Sequence, residues 1–197
     1  MGRSNQLLRG QTGPVDLDVI ELRTVRLCLR GWREEDREPF AALNADSAVM
    51  EHFPAVLSRA ESDAFVDRIT AGFAERGWGL WAVEIDATGT FAGFVGLNPA
   101  TFDAPFTPAN EIGWRLARAH RNQGVATEAA QAVLDYGFGV LGLDEVVSFT
   151  ATANHSSQRV MQKLGMHHDP ADDFDHPQLP EGHRLRRHVL YRLARPR

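Results

Sequence analysis

The sequence predicts an α/β (α+β) protein: a single mixed, largely antiparallel sheet with helices on both faces. Three observations carry that prediction. Segments in which apolar and polar residues alternate are interspersed with segments of 3.6-residue periodicity. Two alternating segments, 79–85 and 91–97, flank the turn Asp86-Ala87-Thr88-Gly89-Thr90 as a hairpin. A glycine-bearing turn, Arg121 to Ala126, then joins a strand pattern to a long amphipathic helix.

Residues 1–20 read as a flexible N-terminal arm, and residues 21–197 as one domain of a size that supports a full core. Residues 22–30 alternate and read as the first strand. Asp36 is placed to cap a helix whose first turn holds Pro39, with Phe40 and Leu43 facing the core. Ser58 and Glu61 form a capping box opening a second helix. Phe65, Val66, Ile69 and Phe73 share one face of it, and it ends near Gly77. After the hairpin, residues 98–110 form a Pro-containing loop, long for a compact domain and therefore a candidate rim or lid. Strand 111–117 leads into the glycine turn. The helix from about Val125 to Leu141 puts Val125, Ala129, Val133, Tyr136 and Val140 on one face, with Thr127, Glu128, Gln131 and Asp135 opposite. Strand 145–151 follows, then a short helix from Asn154 to Leu164 that Gly165 closes. Residues 167–181, rich in Asp, His and Pro, read as an extended loop before a last strand over 184–193.

Bulk properties exclude several classes of function. A net charge of −5 argues against nucleic acid as partner, and the C-terminal arginines from Arg184 to Arg197 read as a solvated strand and tail. No apolar stretch approaches the ~20 residues that span a bilayer. The N-terminal residues lack the apolar core of a secretory signal. The single cysteine, Cys28, permits no intrachain disulfide and suits a reducing, cytoplasmic setting; alternation places it opposite Leu27 and Leu29 in a structural role.

The glycine turn carries the chemistry. Arg121-Asn122-Gln123-Gly124-Val125-Ala126, with Thr127 and Glu128 opening the helix, presents free backbone N–H groups at the positive end of a helix dipole. Such a turn holds a phosphate or pyrophosphate without a metal.

These residues resemble the GNAT acetyltransferase superfamily, in particular its RimJ/RimL-like branch. Arg121 to Ala126 is similar to the family's acetyl-CoA signature, Gln/Arg-x-x-Gly-x-Gly/Ala. Asn154-His155-Ser156-Ser157, followed by Lys163-Leu164-Gly165-Met166, is similar to the branch's second signature, Asn-x-x-Ser running into Lys-Leu-Gly-Phe. The segment Leu27 to Arg30 with Asp36, and the Trp81–Gly96 hairpin, fit the same pattern, so the similarity spans about residues 22–193. The resemblance implies a sheet whose central strands splay apart. It implies that Arg121, Asn122, Gln123, Gly124, Val125, Ala126 and Thr127 bind the pyrophosphate of acetyl-CoA as co-substrate. It further implies that Trp114, Arg115 and Leu116 offer a free strand edge to the pantetheine arm, and that Asn154 and Ser157 lie at the pantetheine and acetyl region.

Acetyl transfer to an amine needs a neutral nucleophile, and a lysine-like amine has a pKa of about 10.4. Glu111, opening the strand that feeds the turn, is the expected base; the plainer role is to end the strand or pair with an arginine. Many relatives place a thiolate-protonating tyrosine where this chain has Met161, which leaves Ser157 as the nearest acid. A thiol pKa of about 8.5 asks little of an acid. His120 and His155 are rival titrating groups. Glu51, Phe53, Trp78 and Trp81 are the expected acceptor-binding residues, Trp81 and Trp114 being equally suited to the core. No metal is expected: the cluster from His167 to His176 lacks ligand spacing. The function implied is acetyl-CoA-dependent N-acetylation of a primary amine, on a small molecule or a protein N-terminus, by direct transfer in a ternary complex. The alternatives are a non-catalytic acyl-CoA-binding domain or transfer of a longer acyl group. A homodimer, common in the branch, is implied by resemblance alone.

Overall fold

The computed structural model describes residues 19–197. The first eighteen residues of the expected arm lie outside this range. One nine-stranded sheet organises the rest, in the order β1-β2-β3-β4-β5-β6-β9-β7, with β8 also pairing with β9. The strands are β1 (Leu22–Arg23), β2 (Leu27–Arg30), β3 (Leu80–Ile85), β4 (Thr90–Ala100), β5 (Ala109–Leu116), β6 (Glu145–Ala151), β7 (His167–His168), β8 (Phe174–Asp175) and β9 (Arg187–Ala194). Every pairing is antiparallel except β5 with β6.

Among the described residues, four α-helices flank the sheet: α1 (Arg37–Ala45), α2 (Arg59–Arg76), α3 (Val125–Gly139) and α4 (His155–Lys163). Phe94 of β4 packs on Phe40 of α1 and Phe65 of α2, at ring separations of 6.0 and 5.9 Å. Val95 turns to the opposite face by strand alternation, the side on which α3 covers β4 and β5. Ser58 and Glu61 cap α2 reciprocally, and Gly77 ends it in the left-handed region (φ 77°). Cys28 is buried with Leu27 and Leu29, and burial raises its thiol pKa.

Several expected boundaries shift for identifiable reasons. Residues 22–30 form two strands of a hairpin, because the Thr24 hydroxyl takes the Leu27 N–H (3.0 Å) and turns the chain. The Asp36 side chain does not cap α1; it accepts from Arg33 N (2.8 Å) and from the Arg30 guanidinium in a two-pronged pair at 2.7 and 2.9 Å. β4 runs on to Ala100, which shortens the expected long loop to residues 101–108. α3 ends at Gly139, so Val140, expected on its buried face, is 67% exposed. Residues 167–181 are not a plain loop: β7 and β8 pair with β9, His168 stacks on Tyr191 at 4.9 Å, and Phe174 packs among Phe102, Phe106 and Phe149. Polar composition concealed this element, because its pairing is with a strand further along the chain.

The Arg30–Asp36 pair is almost wholly buried, and Arg30 Nε also reaches Glu84 (2.8 Å). Removing Asp36 takes away the two-pronged partner and leaves the buried guanidinium paired with Glu84 alone, at a cost of about 3 kcal/mol. Asp36→Ala is therefore expected to lower the thermal midpoint by about 10 °C in a chain of this size, measured by calorimetry.

Candidate active site

β5 is paired with β4 from end to end on one edge, but on the other it meets β6 at a single register point, Glu111 with Val147. Beyond that point β6 stays with β9 while β5 stays with β4. The strands part, and the edge of residues 112–116 is left unpaired toward a cleft of about 880 Å³. Trp114, Arg115 and Leu116 all line it, as expected.

The glycine turn forms the wall next to this edge. Asn122 (φ 59°) and Gly124 (φ 82°) are both left-handed, and they curl the chain into the first turn of α3. Asn122 is a residue that tolerates that conformation, and glycine bears it without cost. The first amide in this stretch to find a helical partner is Glu128 N, donating to Gly124 O (2.9 Å). Among the described residues, no backbone carbonyl takes the N–H groups of Asn122 to Thr127. They form a concave set of donors at a helix N-terminus, suited to a diphosphate. Arg121 differs from expectation. Its N–H is already given to Arg118 O, and its guanidinium donates to the carbonyls of Leu116, Ala48 and Val49 at 3.3, 3.0 and 3.2 Å. It shapes the turn and offers the ligand no free amide. Arg26 braces the turn from behind, donating to Gln123 O (3.1 Å) and to Glu128 (2.8 Å).

Opposite, Asn154 caps α4 with its Oδ1 accepting from Ser157 N (3.2 Å), while its Nδ2 donates to Thr150 Oγ1 (2.9 Å) and Ser157 Oγ (3.1 Å). Asn154 and Ser157 thus share one polar network on the cleft wall, beside buried Met161. Arg159 and Lys163 also line the cleft, and neither makes an ion pair within the described residues. These two cations had no role assigned from sequence. Their i, i+4 spacing, which puts both on one face of α4, was the signal that marked them.

Glu111 sits at the apex of the parting strands and lines the cleft. Among the described residues it makes no hydrogen bond or ion pair; the side chain is half-buried, and desolvation alone pushes its carboxyl up to about 8. Alternation puts Glu111, Gly113 and Arg115 on one face of β5, the face that α1 and α2 cover. Phe53 lines the same cleft. Glu51 lies at the mouth, exposed, with its carbonyl accepting from Arg184 (2.8 Å). Two expected acceptor-binding residues lie elsewhere. Trp81 is fully buried between Phe73 and Tyr136, its Nε1 donating to Ile20 O (2.8 Å). Trp78 lies beneath Arg76 at the end of α2, outside the cleft lining. Trp81 lies within β3 on a face that is core, and Trp78 precedes that strand half-buried against the same core; alternation alone does not distinguish such a face from a pocket. His120 lines the cleft, whereas His155 is exposed outside it. The acidic and histidine residues at 168–175 are engaged internally: His168 with Asp173, Asp172 with Arg192, Asp175 with Arg186.

An open strand edge, a ring of unclaimed amides and a lone carboxyl at the apex meet in one cleft, an arrangement suited to a ligand that carries a diphosphate. The family model for the acetyltransferase (GNAT) domain matches residues 26–167, and the chain belongs to that family, whose activity is acetyl-CoA-dependent acetyl transfer. The chain is similar to protein YkkB of Bacillus subtilis (strain 168), 32% identical over 151 residues, which cover 75% of this chain and 86% of that protein. It is also similar to the N-acetyltransferase YnaD of the same organism, 30% identical over 148 residues and covering 75% and 82% of the two chains. A GNAT-family acetyltransferase structure from Bacillus anthracis superposes with a TM-score of 0.74 at 25% identity, covering 89% of this chain and 99% of that one. Among the described residues, no helix is long and apolar enough to cross a membrane.

Proposed function

We propose that this chain is an N-acetyltransferase of the RimJ/RimL-like branch that moves acetyl from acetyl-CoA to a primary amine by direct attack. The observation that carries the reading is the meeting of β5 and β6 at Glu111 alone, which sets an unpaired, half-buried carboxyl where a thioester laid along the β5 edge would end. The amides of Asn122 to Thr127 hold the diphosphate, Arg159 and Lys163 add positive charge at the mouth, and the free edge from Trp114 to Leu116 bonds the pantetheine arm. The amine nitrogen attacks the thioester carbonyl carbon. Its proton passes to the Glu111 carboxylate, directly or through one water, and the carbon–sulfur bond breaks as the amide forms. The leaving thiolate needs little help, and the Ser157 hydroxyl, oriented by Asn154, donates a hydrogen bond to it. The setting is cytoplasmic, and the acceptor is a small molecule or a peptide N-terminus.

The test is turnover. Purified protein mixed with acetyl-CoA and a panel of amines is expected to release free CoA, read with a thiol reagent, only when an amine is present. Tight acetyl-CoA binding with no amine-dependent release favours a non-catalytic binding domain. Faster release from succinyl- or longer acyl-CoA reassigns the acyl group.

A further inference from the structure

Arg115 is a buried cation without an acid. Its side chain leaves the strand on the same face as Glu111 and is 8% exposed. The guanidinium lies over Phe53 at 4.0 Å, with Phe94 and Phe65 at 5.5 and 5.6 Å. One amino group donates to Asn44 Oδ1 (2.5 Å), and Asn44 is held in that orientation by donating to Ser62 Oγ (2.9 Å). Arg115 Nε is buried with no hydrogen-bond partner among the described residues. No carboxylate among the described residues lies within ion-pair distance. Desolvation pulls the group down to about 10. A guanidinium in this condition is costly, since buried charges in proteins are ordinarily paired. The aromatic rings offset part of that cost. The unused donors remain, and Arg115 is one of the residues that line the cleft.

We propose that Arg115 binds an anionic group of the acceptor, so that the substrate class is a primary amine carrying a carboxylate or similar anion several bonds away. This rests on the transferase reading above. Glu111 and Arg115 are four residues apart on one strand face, which separates their Cα atoms by roughly 13 Å. Between them stands Gly113, where a Cβ meets nothing closer than Glu111 Oε1 at 3.8 Å. The strand therefore provides an open floor with a proton acceptor at one end and a fixed cation at the other. An acceptor laid along it places its amine at Glu111 and its anion at Arg115. Planar, multi-donor guanidinium is the side chain best matched to a carboxylate.

The experiment uses matched acceptors that differ only in charge. One set pairs ω-amino acids with their ω-amino amides; the other pairs peptides bearing Asp or Glu near the N-terminus with their Asn or Gln counterparts. Wild-type protein is expected to acetylate the anionic member of at least one set with tenfold or higher kcat/KM, and the set that responds identifies a small-molecule or a peptide acceptor. Arg115→Gln is expected to bring that ratio to near one. A general loss of fold lowers both members alike, so the ratio reports charge recognition; if the variant fails to fold, the wild-type ratios decide alone. Equal rates within every pair, preference for the neutral member, or acetylation confined to amines without an anion overturns the proposal while leaving the transferase reading in place. Failure to bind acetyl-CoA or to release CoA with any amine overturns the transferase reading, and this one with it.

Discussion

Gly124→Glu is expected to raise the dissociation constant for acetyl-CoA by a hundredfold or more, measured by calorimetric titration. Two separate effects add. Gly124 holds φ at 82°, where a side chain costs about 1–2 kcal/mol. The new carboxylate also stands at the mouth of the amide ring, where a diphosphate's own charge is to sit, and it competes for the same donors. A Cβ at this position meets only Arg26 Nη2, at 3.4 Å, so the substitution has room and the effect is not one of crowding. Gly124→Ala separates the two contributions: it carries the backbone strain without the charge and is expected to weaken binding by tenfold or less. Equal, intact affinity in both variants removes the diphosphate from this turn.

Glu111→Gln is expected to lower kcat by about a hundredfold or more, the range in which a positioned general base contributes. The pH profile sharpens the prediction. With its carboxyl pushed up to about 8, Glu111 is protonated and idle across the neutral range, so wild-type kcat at saturating acceptor rises about tenfold per pH unit up to about 8. The Gln variant is expected to lack that limb. Stability moves the other way. The folded chain binds the Glu111 proton more tightly than the unfolded chain, whose carboxyl keeps the ordinary value of about 4.3. The contribution is full below that value and is lost as pH rises through the folded pKa of about 8. Thermal midpoints of wild type and Glu111→Gln are therefore expected to coincide near pH 4. They separate above it, with the variant the more stable of the two at pH 8. The divergence follows from the raised carboxyl pKa whatever its role, whereas a residue that only ends a strand does not predict the lost limb.

The donor half of the site was legible in the sequence because it is written in local chemistry. A glycine in the left-handed region, a helix start and an Asn cap each depend on neighbours within a few residues, and Gly124, Thr127 and Asn154 stand where their spacing put them. The acceptor half is assembled from distant segments and was read less well. Phe53 reaches the cleft, but Trp81 is core and Trp78 lies outside it, since alternation gives the face of a strand and not what covers that face. Arg115 was expected to contribute its backbone. Its side chain turns out to meet Asn44 and Phe65, contacts across 71 and 50 residues that no local pattern encodes. The same blindness hid β7 and β8 within an Asp- and His-rich stretch.

One side chain already described joins the two halves. The guanidinium of Arg121 grips the end of β5 together with the carbonyls of Ala48 and Val49, in the segment that carries Phe53 over Arg115. The glycine turn and the segment that lies over Arg115 are thus fastened by a common rivet of three hydrogen bonds, each contributing about 0.5–1.5 kcal/mol. Neither segment can shift relative to the other without breaking those bonds.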